Sequence, residues 1–193
     1  MTEPPRRRRL KRRGPADGVV TVFVSDEQDA VTISVDRWQQ LALAVLVDEG
    51  VEGEAELSVM FVDEETIGDL NRRFMESDGP TDVLSFPIDG EPNDPGRWPD
   101  SGGPGPDRIE NDPEDLPLLL GDVVICPIVA DRNAPSHAGT LDDELALLVV
   151  HGILHLLGMD HAEDAERIEM QSREQELLAA HYGPLSADPW AGF

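Results

Sequence analysis

The chain is poor in cysteine, in long apolar stretches and, past its first few residues, in positive charge. One cysteine, Cys126, in 193 residues excludes an internal disulfide and fits a reducing cytosol. Cys126 ends an apolar run and reads as a buried strand residue. No apolar run approaches the roughly 18 residues of a membrane-spanning helix. The basic start is followed by Gly14-Pro15-Ala16-Asp17-Gly18, which is not the apolar core of a signal peptide. These absences point to a cytoplasmic protein with no membrane partner.

The shortage of bases is lopsided. Of the 15 Lys and Arg, seven (Arg6, Arg7, Arg8, Arg9, Lys11, Arg12 and Arg13) precede residue 14, where Glu3 is the only acid; the other 8 face 39 acids. Such acidity repels polyanions at long range and argues against a large nucleic-acid-binding face, so DNA is not expected as a partner. The basic arm, residues 1–17, reads as disordered; it could hold a phosphate backbone or be a solvated tail, and composition leaves both open.

What remains, at 39% hydrophobic residues, suffices for one core and one domain, residues 18–183. Val19–Val24 is β-branched and strand-like. Residues 36–48 carry Trp38, Leu41, Ala42, Val45 and Leu46 at helical spacing. Glu54–Val62 is a second strand, and Asp63 caps a helix through about Phe74 with Glu64 and Glu65 in its first turn. Asp82–Phe86 is a third strand ended by Pro87, and Gly121–Cys126 a fourth. Residues 89–117, with seven prolines, five glycines and nine acids, read as a disordered acidic insertion between two strands. A short helix is expected from Pro127 to Ala134. Thr140 then opens a strongly apolar helix that belongs in the middle of the core. Residues 163–180 form a closing helix, and 184–193 a flexible tail.

The apolar helix carries the chemistry. His151-Gly152-Ile153-Leu154-His155-Leu156-Leu157-Gly158-Met159-Asp160-His161 holds three of the five histidines. Two histidines four apart on a helix share a face, with Cβ atoms roughly 5–6 Å apart, and can reach one ion. In a continuous helix His161 would be rotated about 240° from His155 and sit roughly 9 Å along the axis. The chain must therefore leave the helix and fold back, and Gly158 is the residue best able to take the left-handed conformation this requires. Three nitrogen ligands with an open fourth position mark a catalytic zinc site. Such an ion acidifies water and polarises a phosphoryl or carbonyl oxygen, so metal-assisted hydrolysis is the reaction class.

The spacing matches the metzincin metalloprotease ligand pattern, but those enzymes carry a glutamate base directly after the first histidine. Here that position is Gly152, which cannot move a proton.

The histidine segment resembles the signature of the bacterial YbeY family of metal-dependent endoribonucleases. Leu70-Asn71 leading to Thr81-Asp82-Val83-Leu84-Ser85-Phe86-Pro87, and Leu120-Gly121-Asp122-Val123-Val124-Ile125-Cys126, resemble further family segments in the same order. The resemblance implies an α+β fold, a small mixed four-stranded sheet packed against about five helices with the metal-binding helix central. It implies one zinc ion, or another divalent transition metal, on His151, His155 and His161. It also implies cleavage of single-stranded ribosomal RNA, with a role in maturing the 3′ end of small-subunit (16S) rRNA and in ribosome quality control. The small ribosomal subunit is then a partner. Many family members have an arginine, thought to hold phosphate, where this chain has Met75; Arg72 or Arg73 could substitute or be merely solvated.

Other residues carry weaker expectations. Asp160 could orient an imidazole, act on the metal's water as a catalytic residue, or fix the loop after Gly158. Asp122 anchors its strand or faces the site. Thr81 and Asp82 pin a turn, and His137 and His181 are expected on the surface. Besides the endoribonuclease, two readings stand: a non-enzymatic ribosome-associated factor with a structural metal, and a metalloprotease.

Overall fold

The computed structural model describes residues 18–88 and 117–191. The basic arm (1–17) and nearly all of the acidic insertion (89–117) lie outside the described residues.

The elements follow from local chemistry. β-branched residues make β1 (Val20–Asp26). The apolar stripe of α1 (Val35–Asp48) buries the five side chains expected of it, Trp38, Leu41, Ala42, Val45 and Leu46. Burial alternates along β2 (Ala55–Phe61), with Ala55, Leu57, Val59 and Phe61 inward. Asp63 starts α2 (Glu64–Phe74) by accepting the Thr66 amide at 2.8 Å. β3 (Val83–Pro87) retains Pro87 as its last residue, on a sheet edge where proline is tolerated. β4 (Leu118–Ile125) begins three residues before the expected Gly121. Then come α3 (Pro127–Asn133), a 3-10 turn (Ala134–Ser136), α4 (Leu141–Leu156) and α5 (Asp164–His181).

The strands order β1-β2-β4-β3, with β1 parallel to β2, β2 parallel to β4, and β3 antiparallel to β4. This mixed four-stranded sheet with five helices is the expected α+β architecture. Strand alternation divides the packing. Val123 faces α4, whereas Val124 joins Leu84, Val62, Ile67 and Val129 in a smaller cluster on the other side.

Helix α4 packs against α1, α3, α5, β3 and β4, and Leu145 through Val150 are all buried. At Gly152 the helix meets the sheet so closely that an added Cβ would lie 2.5 Å from Val123 Cγ1. Ser85 of β3 donates its hydroxyl to the Gly152 carbonyl at 3.2 Å across this contact.

The segment expected as a flexible tail, 184–193, is described through residue 191 and hydrogen-bonds to the body of the fold. The Ser186 amide donates to Asp143 at 3.1 Å, the Ala187 amide to the Ala138 carbonyl at 3.0 Å, and Pro189 is buried. No helical or strand period marks this segment, but the buried Asp143 carboxylate and the Ala138 carbonyl give its backbone donors acceptors.

Candidate metal centre

Helix α4 delivers His151 and His155 on adjacent turns of the most buried element in the fold. Its start is fixed by Thr140, whose hydroxyl oxygen accepts the Asp143 amide at 3.2 Å. Its end is a Schellman turn. Gly158 sits at φ +91°, its amide donates to the His155 carbonyl at 2.9 Å, and the Met159 amide reaches the Leu154 carbonyl at 3.0 Å. The chain thereby reverses, and Asp160 Oδ1 accepts the His161 amide at 2.7 Å. His161 comes back over the pair, with ring centroids 5.4 Å from His151 and 4.9 Å from His155. One ring nitrogen from each of the three lies within 4.8 Å of the others, a group that could hold a metal ion.

The hydrogen bonds decide which nitrogens face inward. His155 Nδ1–H donates to the Met159 carbonyl at 3.0 Å, leaving its Nε2 as a bare lone pair. His151 Nδ1 stands 2.7 Å from Glu174 Oε1, so a neutral His151 ring turns its Nε2 lone pair the same way. These two Nε2 atoms stand 3.0 Å apart. Two lone pairs repel at that range unless a cation lies between them. Bonds of about 2.05 Å to a tetrahedral ion would set the nitrogens about 3.3 Å apart, close to the observed gap. The donor set therefore fits a zinc-like ion. Burial, reinforced by His151 and His161, pushes His155 down to about 4, so its ring is neutral and free to ligate at neutral pH.

His151 and His161 line a cavity of about 240 Å3 whose lining also includes Asp82, His137, Met170, Gln171 and Trp190. Among the described residues, Arg167 is the only Lys or Arg in the lining. Its guanidinium pairs at 2.8 Å with Asp164, whose side chain is 87% exposed, a bond water contests.

The remaining expectations sort themselves by geometry. Asp160 is exposed, fixes the turn through the His161 amide, and is not among the cavity-lining residues. Asp122 shares the sheet face of Val124, away from α4. Thr81 donates to Asp82 at 3.3 Å and Asn133 to Asp82 at 2.9 Å, so this pair pins its turn, although Asp82 also lines the cavity. His181 binds Asp48 at 2.8 Å and lies outside that lining, on the surface as expected. His137 also stays outside the cluster with its side chain 40% exposed, but it lines the cavity and its Nδ1 is 2.9 Å from the buried Glu144 carboxylate. The 3-10 turn around Pro135 brings it there. Arg72 pairs with Asp69 and Asp78, Arg73 lies over the Phe74 ring, and Met75 is half exposed; none of the three lines the cavity.

Sequence reasoning missed Glu174, which is 4% exposed and accepts from His151. A signal existed. Met170, Glu174, Leu177 and Leu178 are the buried residues of α5, so one acid stands in phase with an apolar stripe. A carboxylate behind a ligating imidazole fixes its tautomer and raises its basicity.

Comparison with known proteins gives the family. The family profile for Endoribonuclease YbeY matches residues 23–182. Endoribonuclease YbeY of Thermobifida fusca is 46% identical over 161 residues, covering 83% of this chain and 93% of that protein. The Acidothermus cellulolyticus protein of the same name is 47% identical, covering 83% and 91%. The solution structure of TM1509 from Thermotoga maritima superposes with a TM-score of 0.52 at 25% identity, covering 86% of this chain and 90% of that one. With three histidines gathered at the end of a central helix and relatives this similar along most of its length, the chain belongs to the YbeY endoribonuclease family.

Proposed function

We propose that this chain is a metal-dependent endoribonuclease of the cytoplasm that cleaves single-stranded RNA. The RNA is ribosomal, carried on the small subunit, and the reaction contributes to maturing the 3′ end of 16S rRNA and to ribosome quality control. The observation that carries the reading is the convergence of His151, His155 and His161, with the Nε2 atoms of the first two 3.0 Å apart. Family membership supplies the substrate class. The buried, lone Cys126 suits the reducing compartment. Among the described residues no helix is long and apolar enough to cross a membrane.

His151, His155 and His161 would hold the ion, zinc in this reading, within one domain over residues 18–183. When bound, the ion supplies Lewis acidity for a phosphoryl oxygen and an acidified water. The chain does the rest. Glu174 and the Met159 carbonyl hold two ligand rings in the tautomer that presents Nε2. Arg167 offers its guanidinium to a phosphate in a chain otherwise hostile to polyanions. Leu147, Leu148, Met170 and Trp190 give the cavity an apolar wall suited to an unpaired base. Asp160 serves by holding His161 in its turn.

The test is cleavage of an RNA bearing the 3′ end of small-subunit rRNA by purified protein, before and after chelation and on return of zinc. Activity should vanish and return. Full activity of a metal-stripped preparation would overturn the reading.

A further inference from the structure

We infer that the C-terminal segment is a working part of the metal centre, and that Trp190 is a positioning residue whose indole N–H holds Glu174, and through it His151, in ligating geometry. This rests on the reading of His151 as a metal ligand.

Glu174 is nearly sealed from solvent and has two oxygens to satisfy. Oε1 takes the His151 Nδ1–H at 2.7 Å, and Oε2 takes the Trp190 Nε1–H at 3.0 Å. A buried carboxylate with one donor removed is left with an unsatisfied oxygen and freedom to turn about its last torsion. The second donor locks the carboxylate plane, and that plane sets the angle of the imidazole.

Trp190 is itself held in place. Tyr182 donates its hydroxyl to Asp143 Oδ1 at 2.8 Å and the Ser186 amide donates to Asp143 Oδ2 at 3.1 Å. The Ala187 amide bonds Ala138, and buried Pro189 precedes the tryptophan. Two buried acids, Asp143 and Glu174, thus staple one segment to the metal-bearing half of the fold. Pro189 and Trp190 complete the cavity wall beside His151 and His161. A tail whose only task was to cover apolar surface would not need its indole nitrogen aimed at the carboxylate behind a candidate ligand.

Trp190→Phe removes the N–H and keeps most of the ring. Zinc affinity, measured by competition with a chromophoric chelator, should weaken about tenfold, the scale for losing such an outer partner. Trp190→Ala should weaken it at least as much, and Glu174→Gln should do likewise. The urea midpoint of metal-free Trp190→Phe should stay near that of the wild type. In wild-type protein the Trp190 indole N–H should be protected from hydrogen exchange, more so with zinc. A Trp190→Phe affinity within twofold of wild type, or an unprotected indole N–H, would overturn the proposal while a zinc loss in His151→Ala left the ligand reading intact. Unchanged zinc affinity in His151→Ala would overturn both.

Discussion

Gly152 lets α4 close directly onto Val123: a β-carbon built on it would stand 2.5 Å from Val123 Cγ1 and 3.2 Å from Ser85 Oγ. The residue after the first histidine therefore faces the sheet, not the ion. A glutamate there, as the metzincin pattern requires, would be driven into β3 and β4.

Gly152→Ala should accordingly destabilise the protein. Helix propensity favours alanine by about 0.5–1 kcal/mol, while overpacking a tight core costs about 1–3 kcal/mol. A net loss of order 1 kcal/mol is expected in urea unfolding of the metal-free protein. A gain in stability would show that Val123 moves aside at no cost.

Replacing a histidine of the cluster separates folding from metal capture. His161 is exposed and lies beyond α4, so His161→Ala should leave thermal unfolding of the metal-free protein nearly unchanged. Bound zinc, measured by elemental analysis, should fall well below one per chain, and RNA cleavage should drop at least a hundredfold.

Arg167→Ala should raise KM for RNA several-fold with little change in kcat, because the guanidinium lines the cavity without belonging to the ligand cluster. Zinc content should not change. The slope of log affinity against log salt should shrink by about 0.7 in magnitude, the value for one contact to a single strand. Arg167→Lys should recover part of the loss. Equal KM values for wild type and Arg167→Ala would remove Arg167 from substrate binding.

Acid should loosen the C-terminal segment. Burial raises the Asp143 carboxyl, but hydrogen bonds from Ser186, Thr140 and Tyr182 outweigh it and hold the group below its ordinary 3.8. The unfolded chain therefore takes up this proton first as pH falls. The stabilisation is complete well above pH 3.8 and is lost as pH drops through the folded value. Asp143→Asn should be less stable than wild type at pH 7, and the gap should close below pH 3.8. A gap independent of pH would contradict this origin.

The parts of this fold that can be read from sequence are those set by local geometry. The interval from His151 to His161 is dictated by helical pitch and one left-handed residue, and Gly158 supplies it at φ +91°. Asp63 and Thr140 announce their helices because capping is a three-residue affair. The apolar stripe of α5 marks Glu174 as inward-facing, but nothing local names the ring it holds, 23 residues away, or its second donor Trp190, 16 residues further on. His137 reaches the cavity only because the turn at Ala134–Ser136 bends it there. The first residues of β4 were hidden by the adjoining proline-rich acidic stretch, and their strand character comes from pairing with Ala55 and Glu56 of β2.

The three rings differ in how they are held. His151 and His155 ride on a helix with neighbours on nearly every side, so their spacing cannot change without moving the centre of the molecule. His161 is itself exposed and follows a turn that the half-buried Leu157 and Met159 anchor to the core. An arriving ion meets two fixed jaws and one exposed arm. Capture then orders only that arm, and metal release should follow fluctuations of the turn after Gly158 long before any strand of the sheet comes apart.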